Sequence, residues 1–394
     1  MTVAQQHPYQ WLEQALATIQ RAHWQRTLKP ITSPPGPVVT VGEQRVLNFA
    51  SNDYLGLAGD ERLVQAATQA MQRYGVGATG SRLLSGHRDL HRELERTVAQ
   101  WKGTEDALVF SSGYAACLGT VVALVGRPDA IFQDAYNHSC LQQGAKLSQA
   151  QVYAYRHNDL AHLQELLQTH RPDHRRALIT TESLFSMDGD CCPLPELLDL
   201  AERWGCMVLV DEAHGNGVFG EQGAGWVQAT GCQDRPLVQV GNFSKALGSM
   251  GGYVAGRHAL IAYLRHRAPT WVYSTGLSIP DTAAALTAIG ILKQEPQRQA
   301  QLWRNIHDLR AQLTQAGLPL LSAVPSPIVC LPLRDTETAA QLEPALLQAG
   351  VLAGVVRPPT VPTSRLRLSV TSSHTHDHLA ELVRVLAQFS GVYG

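Results

Sequence analysis

A lysine set among small residues directly after a buried strand is costly unless its amine is used. Lys245 is such a residue: the run LVQVGNF leads straight into Ser244, Lys245, Ala246, Leu247 and Gly248. Desolvation depresses an amine's pKa, and the neutral amine is the form that condenses with an aldehyde to a Schiff base. One crossover and one strand earlier, the apolar run Met207 to Val210 ends in Asp211, followed by His214 and the Gly-rich stretch HGNGVFGEQGAG. An acid and a histidine at a strand's end lie where α/β sheets bind their ligands, although Asp211 could equally cap the loop. The spacing lets Asp211 and Lys245 face one pocket.

Two other motifs carry less. Gly75, Gly77 and Gly80 spell a formal GxGxxG with Glu95 downstream. A dinucleotide fingerprint leaves a strand and opens a helix. These glycines instead follow the helical pattern LVQAATQAMQRY, and Glu95 lies inside another, so they are read as places where backbone passes close to a ligand or a neighbouring subunit. His374, His376 and His378 in HTHDH lack further ligands nearby, and the segment reads as a polar helix start with no metal expected. The 7 cysteines include no CxxC pair, and the adjacent Cys191 and Cys192 suit neither zinc nor a disulfide framework. Reduced packing thiols are expected.

The elements that must position these residues show as an alternation of patterns. A helix is expected from Pro8 to roughly Gln25, then a linker at SPPGP (Ser33 to Pro37). Continuous apolar runs follow at Ala107 to Phe110, Ala130 to Asp134, Ala177 to Thr181, Met207 to Val210, Leu237 to Val240 and Tyr253 to Ala255. Between them lie helical stretches such as DLHRELERTVAQW, where Leu90, Leu94, Val98 and Trp101 form one stripe. Buried strands alternating with helices predict an α/β fold with a mainly parallel sheet covered on both faces. A long helical region from about Asp281 to Gly317, broken near Pro296, leads to an α+β tail with strands at Ile328 to Leu333 and Leu366 to Val370 and a helix at Ala339 to Gln348. The expected units are an N-terminal helix and linker (1–45), a large domain (46–285) and a small C-terminal domain (286–394).

Composition narrows the class. The chain has 394 residues with 44% hydrophobic and 16% charged, which excludes disorder and coiled coil. A net charge of -1 argues against a nucleic-acid partner, because phosphate-tracking surfaces need a Lys/Arg excess. The first twenty residues lack a basic start and apolar run, and no stretch is apolar enough to span a membrane. A cytoplasmic location is expected.

With these residues in hand, the chain resembles the fold type I pyridoxal phosphate enzymes, and among them the α-oxoamine synthases, which condense an amino acid with an acyl-CoA. The likeness runs through SNDYLGL (Ser51 to Leu57), GSRLLSG, HRELE, SSGYAA (Ser111 to Ala116), YNHSC (Tyr136 to Cys140), TESLFSMDGD (Thr181 to Asp190), VDEAHGNGVFGEQG, FSKALGSMGG and YSTG (Tyr273 to Gly276). RPPTVP (Arg357 to Pro362) followed by RLRLSVT is similar to the biotin-pathway branch, which joins L-alanine to a pimeloyl thioester on CoA or acyl carrier protein. Glycine C-acetyltransferases and 5-aminolevulinate synthases are the alternatives within the family.

The resemblance implies pyridoxal 5'-phosphate as cofactor and a role for each matching residue. Lys245 would hold the cofactor covalently and then serve as base. Asp211 would pair with the pyridine nitrogen, His138 would stack on the ring, and His214 and Ser186 would reach its 3' oxygen. Gly113 and Tyr114 amides, Ser244 and Asn242 would hold the phosphate; the family's usual residue at Asn242 is threonine. Ser274 and Thr275 would reach the phosphate of the other subunit, which implies a homodimer with shared sites. Arg367, or Arg365 beside it, would grip the amino acid's carboxylate, with Asn52 near the substrate. Glu182 matches a motif acid whose role could be structural. Arg21 and Arg26 lie where the family's N-terminal segment approaches the entrance, or are solvated helix arginines. The Thr363–Ser364 stretch is shorter than in the family.

Overall fold

The computed structural model describes residues 8–22 and 24–394; Met1 to His7 of the expected N-terminal unit (1–45), and His23 within its expected helix, lie outside the described residues. Helix α1 spans Trp11–Arg21, shorter at both ends than the expected Pro8 to Gln25. None of its residues is buried. Without packing to reward further turns, an isolated helix has little reason to extend.

Among the described residues the strands form two sheets. Strands β1 (Val38–Val41) and β2 (Gln44–Phe49) begin the smaller one. The larger has seven strands: β3 (Asp106–Phe110), β4 (Ala130–Asp134), β5 (Gln151–Tyr155), β6 (Ala177–Glu182), β7 (Met207–Asp211), β8 (Val238–Asn242) and β9 (Gly252–Gly256). Their order is β3-β9-β8-β7-β6-β4-β5, parallel from β8 through β5 and antiparallel where β9 joins β8 and β3. Each apolar run read from the sequence lies in one of these strands, except that Leu237 falls just before β8. β5 was not foreseen. It is an edge strand, partly exposed along its length, so it carries no continuous apolar run.

The smaller sheet is completed by β10 (Ile328–Pro332), β11 (Val351–Val356) and β12 (Arg365–Ser369), in the order β1-β2-β11-β12-β10. Leu47 to Phe49 pair in parallel with Val351 to Ala353. The units expected at 1–45, 46–285 and 286–394 cut through elements at both boundaries: Gln44–Phe49, divided by the first, is a strand of the C-terminal sheet, and the helix Ile279–Gln294 runs through the second. The helical region breaks at the expected proline into Ile279–Gln294 and Pro296–Gln315.

One apolar cluster joins the two sheets, running from Phe49 and Leu94 through Tyr253 and Ile306 to Leu366 and Leu382. Helix α2 (Glu61–Tyr74) and helix α3 (Asp89–Lys102) precede the large sheet. Leu94, Val98 and Trp101 of α3 are buried as their spacing predicts, at about 1.5–3 kcal/mol for a fully buried large apolar side chain, while Leu90 at the head of the stripe is only half-buried. Gly75 follows α2 and Glu95 is buried within α3, bonded by Arg92 and the Val109 amide, which is not a dinucleotide-binding arrangement.

Candidate active site

The parallel strands end together, and their last residues are polar: Glu182 on β6, Asp211 on β7 and Asn242 on β8. Glu182 and Asp211 are paired in register, so two carboxylates stand side by side at the carboxyl edge of the sheet. Helix α4 (Gly113–Leu124) and helix α5 (Ser139–Ser148) begin over that edge. The resulting cleft encloses about 330 Å³ including its mouth and is lined by Gly113, Tyr114, His138, Glu182, Asp211, His214, Asn242 and Lys245, together with Cys140 and Ala213.

The start of α4 is shaped to approach a ligand. Ser112 caps it, accepting from the Ala115 amide at 3.1 Å, while the Gly113 and Tyr114 amides have no acceptor among the described residues. A Cβ on Gly113 would sit 2.9 Å from Asn242 Cβ, and one on Gly252 would sit 2.5 Å from the Gly113 nitrogen. Only glycine lets the helix end lie this close to β8 and β9. Asn242 Oδ1 is buried beside it without a hydrogen-bond partner. Free amides at a helix N-terminus with an amide side chain alongside form an anion cradle.

The loop that carries His214 is anchored on both sides. The Glu212 carboxylate accepts from the Trp226 and Val227 amides at 2.9 and 2.7 Å, and the buried Lys102 donates to Asn216 Oδ1 at 3.2 Å and to the Ala224 carbonyl. His214 Nδ1 lies 2.7 Å from Tyr54 Oη. Burial first, then the charges of Lys245 and Arg367, hold its pKa well below the ordinary histidine value.

Lys245 has its pKa lowered by burial, an effect opposed by Asp211 and Glu182. Glu182 is pushed up to about 8, by burial and then by Asp211, and accepts the His138 amide at 2.6 Å. Asp211 accepts at Oδ1 from the Ala213 amide at 2.9 Å, and Oδ2 takes the Cys117 thiol at 3.3 Å. His138 Nδ1 lies 3.0 Å from Cys140 Sγ. That contact raises His138 to about 9, while the Cys117 thiol and then His138 lower Cys140 to about 7.

Behind His214 a second set of residues is linked. Arg367, buried on β12, donates from Nε to the Ser186 carbonyl at 2.6 Å, from Nη1 to Ser369 Oγ at 2.9 Å and from Nη2 to Asn52 Oδ1 at 3.1 Å. Asn52 Oδ1 is 3.2 Å from Tyr54 Oη, which completes a polar chain from Arg367 to His214. Of the guanidinium's five N–H groups, one on each Nη remains unused in these bonds. Arg365, on the same face of the strand, is instead tied to Asp188 and to the Met187 carbonyl.

The remaining expected site residues lie elsewhere in this chain. Ser186 is buried below the cleft, and Ser244 is exposed next to Lys245 without lining it. Ser274 donates to the Thr270 carbonyl and Thr275 bridges to Ser81; neither lines the cleft of its own chain. Arg21 is exposed on α1 near Thr18. Arg26 lines a separate groove of about 1450 Å³ including its mouth, between Leu16, Ile19 and Trp24 on one side and Val355 to Thr360 on the other. In HTHDH, Thr375 caps a helix, His376 meets Asp308 at 2.8 Å and His374 stacks on Phe49.

Tyr54, Cys117 and Cys140 were not singled out from the sequence. Tyr54 sits inside the quoted motif SNDYLGL and Cys140 closes YNHSC, two residues after His138, so position within a motif was the available signal. Cys117 offered none.

The family model for class I and II aminotransferases matches residues 44–386. The chain is 58% identical over 381 residues to a Nostoc punctiforme protein provisionally named 8-amino-7-oxononanoate synthase, covering 96% of each. A Trichormus variabilis protein with the same provisional name is 56% identical, covering 97% of this chain and 99% of its own. Among solved structures, serine palmitoyltransferase from S. paucimobilis with bound PLP-myriocin has a TM-score of 0.92 at 29% identity, covering 97% of this chain and 98% of that one. The 8-amino-7-oxononanoate synthase of Francisella tularensis has a TM-score of 0.77 at 28% identity, covering 87% and 97%.

Proposed function

The chain belongs to the aminotransferase class I and II family and uses pyridoxal 5'-phosphate, and from that premise we propose that it joins L-alanine to a pimeloyl thioester. The products are 8-amino-7-oxononanoate, CO2 and the free thiol of CoA or acyl carrier protein. The residues present fit the cofactor: the free Gly113 and Tyr114 amides, the side-chain-free approach at Gly113 and the Asn242 side chain, whose Nδ2 can donate, make a phosphate cradle. Asp211 would pair with the ring nitrogen, His138 would stack on the ring and His214 would reach the 3' oxygen. Ser274 and Thr275, outside their own chain's cleft, complete the phosphate site of a second copy in a homodimer. Neither nucleic acid nor membrane enters this reading. Among the described residues no helix is long and apolar enough to cross a membrane.

When bound, the cofactor supplies an electron sink for charge at the amino acid's α-carbon. Lys245 would hold it covalently, and its amine, whose pKa burial lowers, would take the α proton once freed. Asp211 would keep a proton on the ring nitrogen by its charge. His214, held by Tyr54 at Nδ1, would present its other ring nitrogen to the 3' oxygen. Arg367 carries the reading of an amino-acid substrate: it is buried, braced by three acceptors, and still has an N–H on each Nη for a carboxylate. The groove holding Arg26 suits an apolar chain ending in a carboxylate, with Leu16, Ile19 and Trp24 along it.

Product analysis with alanine, glycine and serine, each offered with pimeloyl-CoA, tests the assignment. The expected outcome is 8-amino-7-oxononanoate, with alanine preferred to glycine by at least ~10-fold, since one methyl in a fitted pocket is worth about 1–3 kcal/mol. Equal use of glycine with acetyl-CoA or succinyl-CoA, or of serine with a long-chain thioester, would sink the substrate assignment and leave the cofactor chemistry standing.

A further inference from the structure

Two thiols that the chemistry above does not use converge on its central carboxylate. Cys117, on the inner face of α4, places Sγ 3.3 Å from Asp211 Oδ2, and Cys140, in the first turn of α5, places Sγ 3.9 Å from the same oxygen. The three ligand atoms all lie within 4.8 Å of one another, and all three residues are buried. A zinc ion holds thiolate sulfur at about 2.3 Å and carboxylate oxygen at about 2.0–2.2 Å, so the edges of its tetrahedron run about 3.5–3.8 Å. The two sulfur–oxygen separations bracket that range.

We propose that the chain, when free of its cofactor, binds one thiophilic divalent cation of the zinc class through Cys117, Cys140 and Asp211. Soft sulfur ligands select such ions over magnesium or calcium. Cys140 and Asp211 line the cleft, so the fourth position opens into it and takes water. Binding forms two metal–sulfur bonds and one metal–oxygen bond and releases the two thiol protons to solvent. Nothing is oxidised or reduced. Because Asp211 serves both ligands, metal and pyridoxal phosphate exclude each other; that exclusion, unlike the metal site itself, rests on the role proposed for Asp211.

The test uses the full chain, kept reduced, with and without its cofactor. Zn2+ is titrated against a chromophoric chelator, and Co2+ is followed by its thiolate charge-transfer absorption. The stripped chain should bind one equivalent of Zn2+ and show the cobalt–thiolate absorption, and the cofactor-loaded chain should bind at least ~100-fold more weakly. Cys117→Ser, whose side chain does not line the cleft, should lose at least ~10-fold in Zn2+ affinity while still taking up pyridoxal phosphate, read from its visible absorption. Cys140→Ser is the second, independent variant, with the same expected loss. No stoichiometric Zn2+ on the stripped chain, or an unchanged cobalt–thiolate absorption in both variants, would overturn the site. Equal binding with and without cofactor would overturn the exclusion.

Discussion

The cleft at Lys245 and the groove beneath α1 are built on opposite plans. In the cleft, Asp211, Glu182 and His214 are each at most 6% exposed, and each is fixed by a backbone amide or a neighbouring side chain. In the groove, Leu16 is 63% and Trp24 44% exposed, and α1 buries none of its residues. The first arrangement is costly to form and is in place before substrate arrives, which is what stabilising developing charge requires. The second is loose, with its apolar groups still wet, and gains its burial only when a chain lies in it. The two regions should therefore answer differently to substitution, one in turnover and the other in apparent affinity.

The largest effect is expected at the amine of the cleft. Lys245→Ala should lower turnover by at least ~10³-fold and abolish the cofactor's borohydride-trappable covalent link, while the protein still folds. Turnover within tenfold of the parent would remove Lys245 from the chemistry. Asp211→Asn comes next, keeping shape but not charge, with a loss of at least ~100-fold in kcat at nearly unchanged KM for alanine. An unaltered rate would leave the carboxylate as a loop cap. Arg367→Ala should act mostly on alanine, raising its KM by ~10- to 100-fold against a small change for the thioester, as expected for a lost charge-assisted fork. The groove should respond least. Arg26→Ala is expected to raise the thioester KM by ~3- to 10-fold with kcat preserved, the scale of one exposed ionic contact. If Arg26→Ala instead depressed kcat, the contrast between the regions would fail.

Much of the cleft was legible because its residues follow buried strands directly. A strand covered on both faces must be continuously apolar, so Asp211 at its end and Lys245 just beyond the next one stand out. The hairpin β1–β2 had a signal that went unread: VVTV and QRVLNF flank a two-residue turn at Gly42 and Glu43. Its pairing with β11 had none, because nothing local to Leu47 names Val351 as its neighbour. The same holds for Tyr54 and His214, 160 residues apart in the chain and 2.7 Å apart in space. Cys117 lies in a helix apolar on all sides and reads as packing until the fold brings Asp211 against it. Motif resemblance reached Arg367 and Asn52, but their hydrogen bond to each other required the structure.

The parallel pairing of β2 with β11 also sets a timetable. Roughly 300 residues separate the two strands, and at about 5–20 residues per second a ribosome needs about 15–60 s to make them. Through that interval the inner edge of β2, with Val46 and Phe49 destined for burial, has no strand to pair with. An unpaired edge with apolar residues is a template for other chains. The nascent protein thus passes through a period in which its earliest strands must be shielded by a chaperone or by transient contacts, and a chain truncated before Val351 would remain in that state.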